Sequence, residues 1–484
     1  MTDSLFLMSF QELAFASRGH LYTGGGQGTA ARSGEPENNG FSSVAIDSRE
    51  AVAGSLFVAL RGESLDGHRF VGDAFANGAV VALVDEKAMA DSSLALAAVA
   101  EKTGAILVVV ENTLRAFQDA AKAYLEKFPA LLRIGITGSS GKTTTKEIAA
   151  AIIAQEKQVA TNKGNLNSET GLPLSVFGVR AHHEVGVFEA AMSKAGEMAD
   201  LARVLNPHIA LITNIGSAHI GILGSRDAIA HEKKQLFCEF SGKNTAYIPS
   251  ADAYRDFLAE GVRGKIVFYG AETLAALKGV RSLSIDGTEI DWGGEKTRLA
   301  LPGKFNLANA LAGVALALEA GASDDAIRRG ISQVKPLFGR GEILKGKTTV
   351  IRDCYNSNPE SAAAAVEFCD SVEWPGRKVY VLGSMLELGE TSDASHAELG
   401  KQLSNCGADM VFLFGEEMRP AAEEDGAGMQ KSGKKIPFFY TASMPELSQE
   451  LGKFVQSGDL VLLKGSRGCA LETVTDILIG EGAK

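Results

Sequence analysis

The residues with the clearest chemical potential form a short glycine-rich stretch, G-I-T-G-S-S-G-K-T-T-T-K-E, which runs from Gly135 to Glu147. An ordinary phosphate-binding loop has the pattern G-x-x-x-x-G-K-[ST]. Here the position five residues before Gly141 is Ile136 rather than glycine. The stretch is therefore consistent with a shorter loop, G-x-x-G-K-T, whose first glycine is Gly138.

The setting of this loop favours nucleotide binding over a glycine-serine turn that merely caps a helix. An apolar, strand-like segment precedes it, and the helical pattern K-E-I-A-A-A-I-I-A follows it. In such units, glycines let backbone N–H groups approach phosphate oxygens, and the helix N-terminus adds its positive end. Lys142 is expected to neutralise β- and γ-phosphate charge, and Thr143 to offer its hydroxyl to Mg²⁺. The predicted ATP contacts in the loop are Gly138, Ser139, Ser140, Gly141, Lys142, Thr143 and Thr144.

Polar side chains at later strand ends indicate where a magnesium ion would be held. Glu189 ends the apolar run V-G-V-F-E, where a buried carboxylate is costly unless it meets a cation. The next strand-like segment leads to Asn214 and His219, and a histidine at that edge suits a structural role and a place beside a metal equally well. Lys233 and Lys234 follow in a helical stretch. Their residue types alone do not distinguish a functional lysine from a solvated charged face.

Three blocks of alternating strand and helix patterns must position these residues. A chain of 484 residues is too long for one compact core. The second block begins at L-L-R-I-G-I-T-G and ends with an alanine-rich helix that Gly321 terminates, and the third block follows F-G-R-G-E. The pattern predicts an α/β protein with three domains. These are a small N-terminal α/β domain (1–130), a central doubly wound ATP-binding domain with a mainly parallel sheet (131–335) and a C-terminal Rossmann-like domain (336–484).

A second glycine-rich stretch, Thr23 to Gly40, predicts only a surface loop. A strand pattern does not precede it and a helical pattern does not follow it. Its glycines therefore lack the setting of a nucleotide motif.

Composition argues against several classes of function. The net charge of −11 gives no electrostatic reason to expect nucleic-acid binding. The five cysteines are scattered without a C-x-x-C, which indicates reduced thiols rather than a disulfide or zinc framework. The first residues lack the basic start of a signal peptide, and the apolar runs are too short to cross a bilayer. We expect a cytoplasmic monomer that does not insert into a membrane.

Taken together, these motifs resemble those of the Mur ligases, the ATP-dependent amide-forming enzymes of peptidoglycan synthesis. The short phosphate loop is similar to theirs. Three central segments are similar to family segments around substrate, metal and nucleotide: K-G-N-L-N-S-E-T-G-L-P, N-I-G-S-A-H with K-x-x-x-F, and P-G-K-F-N-L-A-N-A-L-A. A-I-D-S-R-E and D-G-H-R-F resemble the family's uridine-nucleotide-binding domain. F-G-R-G-E, D-C-Y-N-S-N-P-E-S, V-L-G-S-M-L-E-L-G-E and L-L-K-G-S-R-G resemble its C-terminal signatures, so the resemblance covers nearly the whole chain.

The resemblance implies a role for each matching residue. The implied catalytic residues are Lys142, Glu189, His219, Lys233 and Arg340. Further implied ATP contacts are Asn306, Asn309, Arg340 and Asp353. The implied substrate contacts are Asp47, Ser48, Arg49, Asp66, His68, Asn165 and Asn167. The implied metal ligands are Thr143, Glu189, His219 and Lys233, the last as a carbamate.

The resemblance also implies a reaction and its participants. The γ-phosphoryl group of ATP would convert a carboxylate into an acyl phosphate, which an amine would attack to give an amide and phosphate. Catalysis of the first step is mostly positioning and charge neutralisation, with ATP and Mg²⁺ as cofactors. L-G-x-M-L-E-L-G-E together with Y-N-x-N-P, without D-N-P-R, implies one step of cell-wall synthesis. In that step D-Ala-D-Ala is joined to UDP-MurNAc-tripeptide, in a pathway on which cell shape and division depend.

Four positions depart from the family's pattern, and other functions remain open. Arg352 stands where a first aspartate is common, Ser384 replaces an aspartate, and Ser193 and Lys194 replace an asparagine and a histidine. The alternatives are another Mur ligase step, a folylpolyglutamate-type ligase, a regulator that binds ATP without ligating, and a kinase acting on a hydroxyl. The D-S-R and D-G-H segments argue against the folate enzyme, and the sequence offers no obvious base for a kinase.

Overall fold

The computed structural model describes residues 6–23, 39–62, 64–423, 429–431 and 434–480. The loop predicted between Thr23 and Gly40 lies outside the described residues except at its two ends. The described residues form three α/β units in chain order, each built on its own sheet. The predicted fold class of three α/β units with largely parallel sheets is confirmed.

The N-terminal unit has a five-stranded sheet with helices packed against it and a separate two-stranded antiparallel sheet, formed by its first and third strands. Its strands are β1 (Met8–Ser9), β2 (His20–Thr23), β3 (Gly40–Phe41), β4 (Ser43–Ala45), β5 (Ser55–Val58), β6 (Ala79–Asp85) and β7 (Ile106–Val110). Its helices are α1 (Phe10–Ala16), α2 (Val71–Ala76), α3 (Glu86–Ala90), α4 (Leu96–Thr103) and α5 (Thr113–Glu126). The sheet order is β2-β7-β6-β5-β4, with β2 antiparallel at one edge. The continuous apolar run of β6 suits a strand that is covered on both faces.

The central unit is a six-stranded parallel sheet with a small antiparallel sheet beside it. Its strands are β8 (Leu132–Thr137), β9 (Val159–Thr161), β10 (Val185–Glu189), β11 (Ile209–Ile212), β12 (Thr245–Pro249), β13 (Lys265–Tyr269), β14 (Leu277–Ser282), β15 (Thr288–Trp292) and β16 (Glu295–Leu299). Its helices are α6 (Lys142–Ile153), α7 (Gly171–Val176), α8 (Glu197–Leu205), α9 (Ile220–Leu223), α10 (Arg226–Lys234), α11 (Arg255–Ala259), α12 (Lys304–Glu319) and α13 (Asp324–Gln333). The large sheet has the order β13-β12-β11-β8-β10-β9.

The strand order of this sheet determines where a ligand can bind. β8 is flanked by β10 on one side and β11 on the other, so the chain changes direction across the sheet at β8. The crevice at the carboxyl end of such a switch point is the usual ligand site of an open α/β sheet. The glycine-rich stretch follows β8 directly, and it therefore lies at this crevice.

The C-terminal unit has a six-stranded sheet that is parallel except at one edge, and a separate two-stranded antiparallel hairpin. Its strands are β17 (Glu342–Lys345), β18 (Thr349–Asp353), β19 (Lys378–Gly383), β20 (Met410–Phe414), β21 (Met429–Lys431), β22 (Lys434–Ile436), β23 (Phe438–Thr441) and β24 (Leu460–Lys464). Its helices are α14 (Pro359–Ser371), α15 (Ser392–Leu403), α16 (Arg419–Glu423), α17 (Met444–Phe454) and α18 (Thr475–Ile479). The sheet order is β17-β18-β24-β19-β20-β23, with β17 antiparallel.

The N-terminal and central units share one hydrophobic core. The rings of Phe117 and Tyr124 on α5 lie 6.0 and 5.1 Å, centroid to centroid, from the ring of Phe177 in the central unit. On the same helix, Arg115 donates to Asp200 of α8 at 2.9 Å. Buried aromatic contacts of this size stabilise the junction more than the exposed ion pair does. Within the described ranges, a helix both long and apolar enough to cross a membrane does not occur.

Candidate active site

The glycine-rich loop occupies residues 138–141, between β8 and α6. Gly138 has a φ of +148° and Gly141 a φ of +80°, and residues with a side chain rarely adopt such backbone conformations. A Cβ at Gly138 would collide with Thr213 Oγ1, and one at Gly141 would collide with Asn309 Oδ1. Both positions therefore need glycine, for the backbone conformation and for the space. A loop that wraps closely around phosphate oxygens has the same requirement.

Lys142 is the first residue of α6, and its side chain folds back over the loop. Its Nζ donates to Gly138 O at 2.9 Å. Desolvation lowers the pKa of Lys142, and attraction to Glu189 opposes that effect. An amine held only by a backbone carbonyl can exchange that contact for a phosphate oxygen, because a charged acceptor binds an ammonium more strongly.

Thr143 and Glu189 meet at the carboxyl edge of the sheet. Thr143 Oγ1 donates to Glu189 Oε2 at 2.7 Å, and Asn167 Nδ2 donates to Glu189 Oε1 at 2.7 Å. Glu189 is only 2% exposed, and both of its carboxylate oxygens are directed by neighbours. Hydroxyl, carboxylate and amide oxygens are the donors that Mg²⁺ prefers, so this pair has the right chemistry for the predicted ion.

A buried asparagine that the sequence analysis did not identify holds this arrangement in place. Asn162 follows β9, and its Oδ1 accepts from Glu189 N at 2.6 Å. Its Nδ2 donates to Glu189 O at 3.1 Å and to Leu166 O at 2.7 Å. The fully buried Lys146 donates to Asn162 O at 2.9 Å. A polar residue directly after a buried strand was the available signal, but its partners lie on segments distant in sequence.

Lys233 is buried beneath the phosphate loop rather than in the cavity above it. Only 1% of Lys233 is exposed, and its Nζ donates to Gly138 O at 3.0 Å. Desolvation lowers its pKa well below the ordinary value, and repulsion from Lys142 adds to this. Lys234 points elsewhere and donates to Phe257 O at 2.6 Å. The interpretation of Lys233 as part of a solvated charged face is therefore wrong.

A cavity of about 830 Å³ opens above the loop, between the central and C-terminal units. Most of the site residues predicted in the central and C-terminal units line this cavity. In addition to the loop residues from Ser139 to Thr144, its walls include Asn165, Asn167, Glu189, His219, Asn306, Asn309, Arg340 and Asp353.

The C-terminal unit contributes cations and carboxylates to this cavity. The guanidinium of Arg340 lies 4.1 Å from the centroid of the Tyr355 ring, which holds it over the cavity by a cation–π contact. The buried Lys464 Nζ lies 3.2 Å from Asp353 Oδ2. Lys464 was missed by the sequence analysis as a candidate residue, although it belongs to the quoted segment L-L-K-G-S-R-G.

His219 faces the C-terminal unit rather than the Thr143–Glu189 pair. Its Nδ1 lies 2.7 Å from Glu387 Oε2, although the two groups lack the alignment of a hydrogen bond. The contact with His219 lowers the pKa of Glu387. In the described part of the chain, three or more His, Cys, Asp or Glu side chains do not gather into a metal site on their own. An ion here would therefore take part of its coordination from phosphate oxygens and water.

The predicted substrate residues of the N-terminal unit lie away from this cavity and form local contacts. Asp47 caps the 3₁₀ turn that begins at Ser48, and its ion pair with Arg49 lowers its pKa to about 2. His68 Nδ1 donates to Asp66 Oδ1 at 2.6 Å, and its Nε2 accepts from the backbone N–H of Asp85 at 3.0 Å. Because His68 is buried with both nitrogens occupied, its side chain organises this region, and direct contact with a substrate stays a prediction.

The four positions that depart from the family's pattern have ordinary local partners. Arg352 donates to Glu342 Oε2 at 2.6 Å, and Ser384 is buried beside β20. The backbone N–H groups of Ser193 and Lys194 donate to Glu197 Oε2 at 2.6 and 3.0 Å. These contacts are local, so the substitutions leave the phosphate loop and the Thr143–Glu189 pair intact.

The fold and this site define a nucleotide-dependent enzyme whose phosphate loop is covered by a Rossmann-like unit. Three family models match the chain: "Mur ligase family, catalytic domain" over residues 41–125, "Mur ligase middle domain" over 136–317 and "Mur ligase, glutamate ligase domain" over 339–467. The chain belongs to the Mur ligase family, as its motifs predicted.

Similar proteins cover almost the whole chain. A UDP-N-acetylmuramoyl-tripeptide--D-alanyl-D-alanine ligase from Treponema pallidum is 43% identical over 91% of this chain and 94% of its own length. A crystal structure of MurF from Acinetobacter baumannii has a TM-score of 0.83 at 28% identity and covers 99% of this chain and 100% of that one. MurF ligase from Thermotoga maritima in complex with ADP has a TM-score of 0.75 at 27% identity, with coverage of 90% and 96%.

Proposed function

We propose that this chain joins D-alanyl-D-alanine to UDP-N-acetylmuramoyl-tripeptide with the conversion of ATP to ADP and phosphate, in cytoplasmic peptidoglycan precursor synthesis. The main observation in support is the single cavity that the phosphate loop, the Thr143–Glu189 pair and the C-terminal unit all face. Relatives named as UDP-N-acetylmuramoyl-tripeptide--D-alanyl-D-alanine ligases match over about nine-tenths of the chain and support the same reaction. A phosphoryl donor and two further reactants need such a shared and enclosed space.

Phosphoryl transfer is the first step, and the residues of the loop position it. The backbone N–H groups of the loop and the N-terminus of α6 surround the β- and γ-phosphates, and Lys142 moves from Gly138 O to a phosphate oxygen. Arg340 contributes a second cation from the opposite wall. Thr143 and Glu189 are the residues that hold Mg²⁺, which when bound neutralises charge on the phosphates.

Amide formation is the second step. The substrate carboxylate takes up the γ-phosphoryl group, which gives an acyl phosphate with a good leaving group. The amine nitrogen then bonds to the carbonyl carbon, and the C–O bond breaks so that phosphate departs with the electron pair. The ammonium form of the amine loses two protons over the whole reaction. Closure of the cavity by the C-terminal unit protects the acyl phosphate from water.

The remaining assignments belong to the same proposal and rest on the resemblance to the Mur ligases. Asn306 and Asn309 on α12 contact the nucleotide, and Asp353 on β18 lies near its ribose. The N-terminal unit (1–130), including Asp47, Ser48, Arg49, Asp66 and His68, binds the uridine nucleotide. The central (131–335) and C-terminal (336–484) units enclose ATP, with Asn165 and Asn167 at the substrate side. The enzyme acts as a monomer.

Lys233 is proposed to become a carbamate that supplies an oxygen ligand near His219. A free ammonium would repel a divalent cation, whereas a carbamate would attract it. Burial favours this modification because it lowers the pKa of Lys233 and so raises the fraction of neutral amine that can react with carbon dioxide. In the unmodified form described here, the amine instead donates to Gly138 O.

The decisive assay measures phosphate release with ATP, Mg²⁺ and UDP-MurNAc-tripeptide, with and without D-Ala-D-Ala. The proposal expects turnover to need both the acid and the amine, and D-Ala-D-Ala to be strongly preferred over D-alanine. Slow hydrolysis that is independent of both substrates would indicate an ATP-binding regulator instead. Equal turnover with diaminopimelate as the amine would move the assignment to the preceding step.

A further inference from the structure

Several carboxylates line the cavity, and most of them are already engaged with partners. The carboxylates on the cavity wall are Glu189, Glu272, Asp353, Glu360 and Glu387. Both oxygens of Glu189 are held by side-chain donors, Asp353 is paired with Lys464, and Glu387 is paired with His219. Glu189 has the proposed metal role, Asp353 lies beside an ammonium group, and Glu387 lies beside an imidazole ring.

Glu360 has no assigned metal role, and both of its hydrogen bonds come from one neutral residue, Ser217. Ser217 Oγ donates to Glu360 Oε1 at 2.7 Å, and Ser217 N donates to Glu360 Oε2 at 3.2 Å. These contacts fix the direction of the carboxylate but leave its negative charge uncompensated. Glu272 also accepts from a neutral hydroxyl, that of Ser250, but it belongs to the turn after β13 and not to the C-terminal unit.

The position of Glu360 brings its carboxylate close to the phosphate loop. It lies in the first turn of α14, whose N-cap residue Asn358 donates from Nδ2 to Ser140 Oγ at 3.1 Å. A Cβ built on Gly216 would lie 3.2 Å from Glu360 Cδ and 3.3 Å from Ser139 Cβ. Gly216, a residue without a side chain, therefore lies between the Glu360 carboxylate and the phosphate loop.

We propose that Glu360 binds the ammonium group of the amine substrate and places its nitrogen beside the acyl phosphate. This inference rests on the proposed ligase function and adds the group that recognises the second substrate. A cavity that receives an ammonium needs an anion whose charge is not already neutralised, and Glu360 provides one on the C-terminal wall. The adjacent phosphate loop is where the acyl phosphate forms, so a nitrogen held by Glu360 is within reach of its carbonyl carbon once the ammonium is deprotonated.

Kinetics with Glu360→Gln test this assignment directly. The variant keeps a hydrogen-bond acceptor but removes the charge, so the KM for D-Ala-D-Ala should rise about tenfold or more. The KM values for ATP and for UDP-MurNAc-tripeptide should change less than about twofold. Glu367→Gln is the matched control, because Glu367 lies two turns further along α14 in an exposed ion pair with Lys304 and should leave all three KM values unchanged. A KM for the dipeptide that is unaltered in Glu360→Gln would overturn the proposal.

An inhibitor without the amine separates charge recognition from a structural effect. Propionyl-D-alanine has the shape of the dipeptide but no ammonium group, so it should inhibit the wild type and Glu360→Gln equally. Ser217→Ala removes the Oγ contact but keeps the carboxylate, and its KM for D-Ala-D-Ala should stay within about threefold of wild type. If Ser217→Ala raises this KM as much as Glu360→Gln does, Glu360 only joins the two units, and the proposal is wrong. A wild-type enzyme that does not ligate the dipeptide at all would instead reject the proposed function.

Discussion

Lys142 and Lys233 donate to the same backbone oxygen, that of Gly138, at 2.9 and 3.0 Å. The two amines approach this oxygen differently, because Lys142 lines the cavity and Lys233 is buried under the loop. Desolvation by burial, to which repulsion from the nearby ammonium of Lys142 adds, explains why the pKa of Lys233 is strongly lowered. One lysine is therefore available to a phosphate, and the other to a chemical change in the interior.

Replacement of Lys142 by alanine should abolish amide formation. The change removes the cation nearest the transferring phosphoryl group, and loss of one such group costs roughly a hundredfold or more in turnover. Binding of UDP-MurNAc-tripeptide without ATP should stay within a few-fold of wild type, since we assign it to the N-terminal unit. Steady-state phosphate release and calorimetric binding measure the two effects. A loss of uridine-substrate binding as severe as the loss of turnover would contradict this division of labour.

Lys233→Arg should be nearly inactive, and Lys234→Arg should be mild. Arginine keeps the positive charge at position 233 but cannot form a carbamate, and its larger head does not fit a site that is 1% exposed. Lys234 is part-buried, and its carbonyl and ring contacts with Phe257 can be made by a guanidinium as well. Turnover at low and saturating bicarbonate distinguishes the two variants. Full activity of Lys233→Arg would remove the carbamate from the mechanism.

The contacts that were predictable from the sequence are those set by strand ends. Thr143 and Glu189 follow adjacent parallel strands, so the sheet itself brings them together at its carboxyl edge. Asn162 and Glu360 were not predictable in the same way, because each contact depends on the path of a loop. Asn162 itself lies in the loop after β9, and Ser217, the partner of Glu360, lies in the loop after β11. The strand β14 gives no signal in the sequence for another reason: it is almost wholly exposed and carries no apolar period that would mark a strand.

Glu189→Gln should eliminate Mg²⁺-dependent turnover while the fold stays intact. Glutamine retains an oxygen that can accept from Thr143 Oγ1, so the local contact survives, but it loses the negative charge that attracts the ion. We expect turnover to fall roughly a hundredfold or more. Thermal-shift measurements test whether the loss of turnover comes from the loss of Mg²⁺ binding. MgATP should raise the melting temperature of the wild type more than ATP with EDTA does, and in Glu189→Gln that difference should vanish. If MgATP still raises the melting temperature of Glu189→Gln more than ATP with EDTA does, Glu189 does not hold the ion.

Asn162→Ala should reduce both stability and turnover, because Asn162 connects the end of β10 to the loop that carries Asn167. The change leaves the buried N–H and C=O of Glu189 without their side-chain partners, at a cost of about 1–3 kcal/mol for each unsatisfied group. Turnover should fall because Glu189 and Asn167 lose their shared support. Urea denaturation measures the first effect and MgATP kinetics the second. Asn244→Ala is a useful comparison, since Asn244 also donates to a backbone oxygen (that of Pro207) but lies at the opposite end of the sheet. Equal kinetic losses in both variants would indicate a general destabilisation.

His396 should make the enzyme less stable below neutral pH. It is fully buried on α15, its Nε2 accepts from Met385 N at 3.0 Å, and its Nδ1 donates to Ser392 O at 2.8 Å. These contacts require the neutral ring, and desolvation lowers the pKa of His396 from its ordinary value of 6.5. In the unfolded chain the ring gains a proton near pH 6.5, whereas in the folded protein it gains one only at lower pH. The unfolded state therefore binds more protons in this interval, and stability falls as the pH drops below 6.5 towards the folded pKa.

Urea unfolding of the His396→Gln variant over the same pH interval tests this prediction. Glutamine can accept from Met385 N but does not titrate, so the variant should lose less of its urea midpoint between pH 7.5 and pH 5 than the wild type does. The unfolding free energy of the wild type should therefore fall further over this range than that of the variant. At pH 7.5 the variant should be the less stable of the two, because glutamine fills the site less well. Parallel losses in both proteins from pH 7.5 to pH 5 would mean that His396 does not carry this dependence.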